Sequence, residues 1–186
     1  MNIFYIDSDP VVAAQQMVDK HVVKMILETA QLLSTAHRVL DGEMWIDDSS
    51  GRKIKRWRHP IAPLDAELYK ATHVNHPSAI WVRQSNNNYN WLYFHFISLL
   101  DEYTHRYNKQ HACEKLRDIL SLVPKNIITG YLSPPTLAMP DEHKVADNAV
   151  LCYRHYYKYG KSSLHKWTNR PIPEWITDDS IQEIPK

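Results

Sequence analysis

Glycine is scarce in this chain, with four residues in 186 against eleven prolines. That balance argues against a turn-rich β fold and for helices joined by stiff, irregular connections. Cysteine is nearly missing too: Cys113 and Cys152 stand alone, in no CxxC spacing. They read as two reduced core thiols rather than a disulfide or a metal pair. No stretch approaches the roughly 18 apolar residues that a membrane span needs. The opening MNIFYIDSDP has neither the basic nor the apolar region of a signal peptide, so a cytoplasmic protein is expected. Excess charge is absent as well: the net charge is +1 and the pI about 7.8, so the overall balance does not announce a nucleic-acid binder. Walker and Rossmann glycine motifs are missing, and no cofactor is expected.

What is present is aromatic and unevenly charged. Six Trp and eleven Tyr are many for this length. Arg52, Lys53, Lys55, Arg56 and Arg58 crowd around Trp57, just after acidic Glu43, Asp47 and Asp48. A chain of this size suits one domain, 1–186, with an irregular C-terminal tail from about 160. The expected fold is all-α, with a short extended segment at 2–6 and a small β-hairpin near 43–58. Asp9-Pro10 starts a helical pattern that breaks near Val18-Asp19 and stops at Asp41-Gly42. Further helices are expected from about Leu64 to His73, from Pro77 with an interruption at Asn86–Asn88 on to about Tyr107, and over Cys113–Val123. The stretch 124–140 holds four prolines and reads as irregular. A last major helix is expected from Asp141-Glu142 to about Tyr159, ended by Gly160.

One helix carries a polar stripe. At 100° per residue His21, Lys24, Glu28, Gln31 and Thr35 fall on one face, while Val22, Val23, Met25, Ile26, Leu27, Ala30, Leu32 and Leu33 cover the rest, which points to deep burial with one polar groove. A carboxylate with an ammonium one turn away and an imidazole two turns away suits holding a sugar or base and moving a proton. The same pattern equally describes a solvated face with a Lys24–Glu28 ion pair.

Asp19-Lys20-His21 followed by Glu28 resembles the D-x-H-x6-E segment of the pyrimidine-dimer DNA glycosylase, or endonuclease V-like, superfamily. DKHVVKMILETAQLL is similar to a D-K-R-L-x-K-Q-R-x-E-x-x-Q-x-L signature in bacterial members, matching at Asp19, Lys20, Lys24, Glu28, Gln31 and Leu33. HPSAIWVRQSNNNYNWLYFHFISLLDEYTHRYN resembles their H-P-x-x-x-W segment and long helix, and MPDEHKVADNAVLCYRHYYKYGK their final helix. Together the blocks cover about two fifths of the chain, in order, and point to a phage-type member.

The resemblance implies a mechanism in which a free α-amine attacks C1′ of the damaged nucleotide, a Schiff base forms, and β-elimination nicks the strand. As a class, α-amines titrate near about 8, so a usable fraction is neutral at pH 7. The glutamate, here Glu28, would stabilise charge on the sugar. The usual small second residue is replaced by Asn2, whose bulk protects Met1 from removal, so the Met1 amine stands where the nucleophile belongs. Leu27 and Gln31 occupy positions where phage-type members carry arginines, which removes a phosphate or base contact.

Catalytic candidates are therefore Glu28, His21 and Met1. Candidate substrate contacts are Asn2, Lys24, Gln31, His73, His76 and Arg83, then Arg56, Trp57 and Arg58 of the basic run, which can meet phosphate and stack a base. Arg154, Tyr157, Lys158, Tyr159 and Lys161 resemble the aromatic and basic C-terminal segment that approaches the lesion. Each set also has a structural reading: a hairpin arm answering its acidic neighbour, a helix-start cap, or lysines meeting a helix dipole. Glu102 and Arg106 read as packing and i,i+4 pairing. Eleven histidines show no HExxH or Cys/His ligand spacing, so no metal is expected. The leading function is a DNA glycosylase, with lyase activity as an option, acting on a damaged or modified pyrimidine nucleotide. The rival is a non-catalytic phage counter-defence protein that sequesters a nucleotide or cyclic nucleotide signal; a third reading is an enzyme processing free nucleotides or bases. Partners are thus nucleic acid or a small nucleotide, not a membrane.

Overall fold

The computed structural model describes residues 1–178. Seven α-helices and one two-stranded hairpin make up these residues together with short 3-10 turns, the mainly helical single domain that the composition predicts. No helix among them is long and apolar enough to cross a membrane.

Helix α1, Pro10–Gln16, begins where Asp9 accepts hydrogen bonds from the amides of Val11 and Val12, at 2.7 and 3.2 Å. The break expected near Val18 separates it from α2, Asp19–Asp41. Gly42 caps α2 with its amide on the Arg38 carbonyl, and a Cβ there would collide with the carbonyl oxygens of Arg38 and Arg58. Strands β1, Glu43–Asp47, and β2, Ile54–Arg58, follow as an antiparallel hairpin with Glu43 opposite Arg58 and Trp45 opposite Arg56. Helix α4, Pro77–Gln84, starts with proline at its first position and the His76 ring accepting from the Ser78 amide. Ser85 caps α5, Asn86–Tyr107, and Asn108 closes it in the left-handed conformation at φ 51°.

Helix α5 packs against α1, α2 and α4. Between them lies a core that includes Ile3, Ile6, Met17, Met25, Ile26, Leu32, Leu33, Trp81, Tyr89 and Phe96, all almost fully enclosed. Each side chain of this size contributes roughly 1.5–3 kcal/mol by leaving water.

Three element boundaries differ from the sequence expectation. Helix α3 is Ala62–Glu67 and stops well short of His73. The buried Arg38 guanidinium takes the carbonyls of Asp65, Leu68 and Tyr69 at 2.7–2.8 Å, and that pull turns the chain out of the helix. Residues 113–123 form two 3-10 pieces, Ala112–Leu116 and Ile119–Ser121, rather than one helix. Asp141–His143 is a single 3-10 turn, and α6, Ala149–His155, starts instead at Asn148, whose side chain caps the Leu151 amide at 3.1 Å. Helix α6 widens into a π turn, Tyr156–Gly160, where the bare Gly160 lies against the rings of Tyr156 and His143. The tail holds α7, Glu174–Thr177, and packs on α1 through the indoles of Trp167 and Trp175, which donate to Gln16 at 2.8 Å each. Residues 179–186 of the expected tail lie outside the described residues.

Candidate functional site

Asn2 fixes how the chain starts. Its side-chain oxygen accepts from the amides of Ile3 and Phe4 at 2.7 and 3.0 Å, and its side-chain nitrogen donates to the Ala138 carbonyl at 2.8 Å. Its own amide donates to Glu28 Oε2 at 3.3 Å. Met1 therefore lies one residue from the backbone amide that meets the Glu28 carboxylate. Lys24 Nζ stands 3.2 Å from Glu28 Oε1, and because Lys24 is 66% exposed this pair adds at most about 1 kcal/mol. Its use is to leave a held, half-buried carboxylate facing the chain start.

His76 joins the group from α4. Burial lowers its pKa first, then the Met1 amine and His73, while Glu28 opposes them. Amine, carboxylate and both histidines thus share one electrostatic neighbourhood. Thr35 Oγ accepts from the Thr72 amide at 3.2 Å and Arg83 donates to the Val74 carbonyl at 2.9 Å, holding the 72–76 loop along α2. That loop and β2 border a cleft of about 430 Å³ lined by Arg56, Trp57 and His73. Arg56 is tied to Asp47 at 3.3 Å, whereas Arg52, Lys53, Lys55 and Arg58 are exposed.

His21 occupies a different position from the one its sequence spacing suggests. It is buried, stacks on Phe4 with ring centroids 4.2 Å apart, and meets Tyr157 Oη through Nδ1 at 2.7 Å. The Val18 amide also donates to that oxygen, at 3.2 Å. Burial, with Lys161 and Lys24 adding to it, pushes the His21 pKa down to about 4, leaving a neutral imidazole that orders the chain start. Lys161 lies 4.7 Å over the Tyr156 ring, and Tyr156 in turn faces Phe4.

Several expected contacts lie elsewhere. Tyr157 is fully buried and offers no stacking face. Arg154 binds the Ile6 carbonyl and the Asp7 carboxylate, both at 2.7 Å, and covers Trp175. Lys158 reaches the Asp178 carbonyl, and Tyr159 packs on His155. Gln31 remains half-buried on the stripe, while Leu27 and Val23 are exposed, so α2 is less enclosed than its apolar pattern implies. Sequence reasoning missed Phe4, which no polar pattern marks. It also missed the Ala138 carbonyl, which sits in the proline-rich stretch taken as irregular. At the far end of α2, His37, Asp41 and His59 gather into the one group among the described residues with metal-ligand geometry.

The class so defined is a small helical protein whose chain start is clasped to a carboxylate on its central helix. The model of the pyrimidine dimer DNA glycosylase family matches residues 1–115, well over half of the chain, and the chain belongs to that family. No curated protein and no solved structure matches it. The matched span holds Met1, Glu28, the hairpin and both loop histidines, and leaves out Arg154 to Lys161.

Proposed function

We propose that this protein is a DNA glycosylase with lyase capability, acting on a damaged or modified pyrimidine nucleotide through the Met1 amine. The observation that carries this reading is the Asn2 amide at 3.3 Å from Glu28, which keeps the chain start beside a carboxylate. In the reaction the neutral amine attacks C1′ and the base departs with the bonding electrons. The sugar ring opens to a protonated Schiff base. Loss of a C2′ proton then expels the 3′ phosphate and breaks the strand. Glu28 stabilises positive charge on the sugar and serves the proton transfers. The electrostatic coupling of His76 to Met1, His73 and Glu28, and the cleft beside Arg56 and Trp57, support a reading in which backbone or an extruded base is received there.

Borohydride reduction tests the amine directly. A covalent protein–DNA adduct should form on abasic or dimer-containing duplex and map to Met1, and a short extension ahead of Met1 should abolish it. Glu28→Gln should slow turnover by about 10²–10³-fold with binding largely intact, since the amide keeps shape but not charge. No adduct on any damaged substrate, with tight binding of a free nucleotide, would transfer the site to the sequestering reading.

A further inference from the structure

Two buried imidazole nitrogens, His37 Nδ1 and His59 Nε2, have no hydrogen-bond partner within 3.5 Å, although the Leu122 carbonyl is near enough to act on His37. His37 lies near the end of α2, Asp41 one turn later, and His59 directly after β2. One donor atom from each falls within 4.8 Å of the others, and His59 Nε2 is 3.9 Å from Asp41 Oδ2. Buried nitrogens left unmatched are unfavourable unless something else occupies the space beside them. We propose that His37, Asp41 and His59 bind a divalent first-row transition cation, zinc fitting best, which clasps the end of α2 to the base of the hairpin.

The proton positions agree with this role. Tyr89 donates its hydroxyl proton to the Leu120 carbonyl at 2.9 Å, so its oxygen accepts from His37 Nε2 at 2.8 Å. The lone pair of His37 is therefore on Nδ1, the nitrogen left without a hydrogen bond, and the Tyr89 contact is the kind that orients metal-bound imidazoles. Asp41 is aimed by the amides of Lys125 and Asn126, at 2.7 and 2.9 Å, which leaves each carboxylate oxygen a further lone pair. Ligation through His59 Nε2 puts that ring's proton on Nδ1 and releases the 3.2 Å contact from the Ile61 amide, at a position exposed enough for water to replace it. Tetrahedral zinc with bonds of about 2.0–2.1 Å holds its donors roughly 3.4 Å apart, so the cluster tightens by about an ångström, with water as the fourth ligand. Two imidazoles and one carboxylate suit zinc better than calcium or magnesium, which prefer oxygen donors. The site is nine residues along α2 from Glu28, about 14 Å at 1.5 Å per residue, and does not depend on the glycosylase reading.

The full chain, stripped with a chelator, is titrated with zinc against a chromophoric competitor and with cobalt as the spectroscopic probe. One equivalent should bind, raise the melting temperature, and shift the ring-nitrogen NMR signals of His37 and His59 together. Tyr89→Phe should weaken binding about 10–100-fold through the lost outer hydrogen bond, and His59→Gln by at least about 100-fold. The NMR shifts are read on the unaltered chain, so a variant that fails to fold does not silence the test. Binding that His59→Gln leaves unchanged places the ion on surface histidines and overturns the proposal. Absence of stoichiometric binding also overturns it and assigns the space to water.

Discussion

Burial decides what individual histidines do here. His21 and His95 are both enclosed and both carry pKa values near 4, against an ordinary value of about 6.5. Desolvation is the leading cause for each; Lys161 and Lys24 add to it at His21, while the Pro10 carbonyl, 3.0 Å from His95 Nδ1, works against it. Between those two pH values the unfolded chain binds more protons than the folded one. Stability from these groups is therefore complete above about pH 6.5 and is lost as pH falls through 4, each imidazole approaching about 1.4 kcal/mol per pH unit. Urea midpoints measured from pH 7 down to 4.5 should fall steadily, and His95→Gln should flatten the profile. A level midpoint down to pH 5 would contradict the burial of both rings. The stripe on α2 was legible as a stripe, but helical spacing cannot tell that His21 turns inward to Tyr157 while Glu28 stays beside the chain start.

Elements bounded by local chemistry were legible, because Asp9-Pro10, Gly42 and His76-Pro77 act on their own neighbours, whereas the break expected at Asn86–Asn88 falls at Ser85. The end of α3 was not, because a residue 27 positions upstream sets it: Arg38 holds Asp65 at 2.6 Å and also takes the Trp57 carbonyl at 3.0 Å. Arg38→Met should cost about 3–5 kcal/mol by leaving these acceptors buried and unmatched, with hairpin amides losing hydrogen-exchange protection first. The hairpin itself makes a second prediction. Arg52, Lys53, Lys55 and Arg58 are exposed, and if about four phosphates are met there, log K against log salt should fall with a slope near −3.6. That is a loss of over about a hundredfold between 50 and 200 mM salt. Arg58→Ala should take about 0.9 off the slope, while Arg56→Ala, already paired with Asp47, should change it less. Weak salt dependence with tight binding of a small nucleotide would count for the sequestering reading. The metal-type cluster escaped the motif search for a related reason, since its third residue, His59, comes back only after the whole hairpin.

On the scale of the molecule, one buried ion network joins the start, middle and end of the chain. Arg106 reaches Glu102 at 2.6 Å and Asp19 at 2.9 Å, and Arg170 from the tail binds Glu102 at 2.7 Å. Asp19 also accepts from the Thr168 amide and hydroxyl at 2.9 and 2.7 Å. Burial alone would raise the Asp19 pKa; those donors and Arg106 bring it below the usual carboxylate range. Two carboxylates and two guanidiniums balance as long as the tail is in place. A chain ending at Lys161 removes Arg170 and Thr168 and leaves the cluster one negative charge in excess, with Glu102 only 2% exposed. The indole donors from Trp167 and Trp175 to Gln16 go as well. The shortened protein should lose about 3–5 kcal/mol, the scale on which a buried charge stripped of its partner costs. Glu102→Gln separates charge from lost packing: it should destabilise the full chain, where Arg170 needs the carboxylate, yet be neutral or restorative in the shortened one, where the excess charge disappears. Urea denaturation of the four proteins gives the coupling directly. If Glu102→Gln costs the same in both backgrounds, the tail holds the fold by its tryptophans alone.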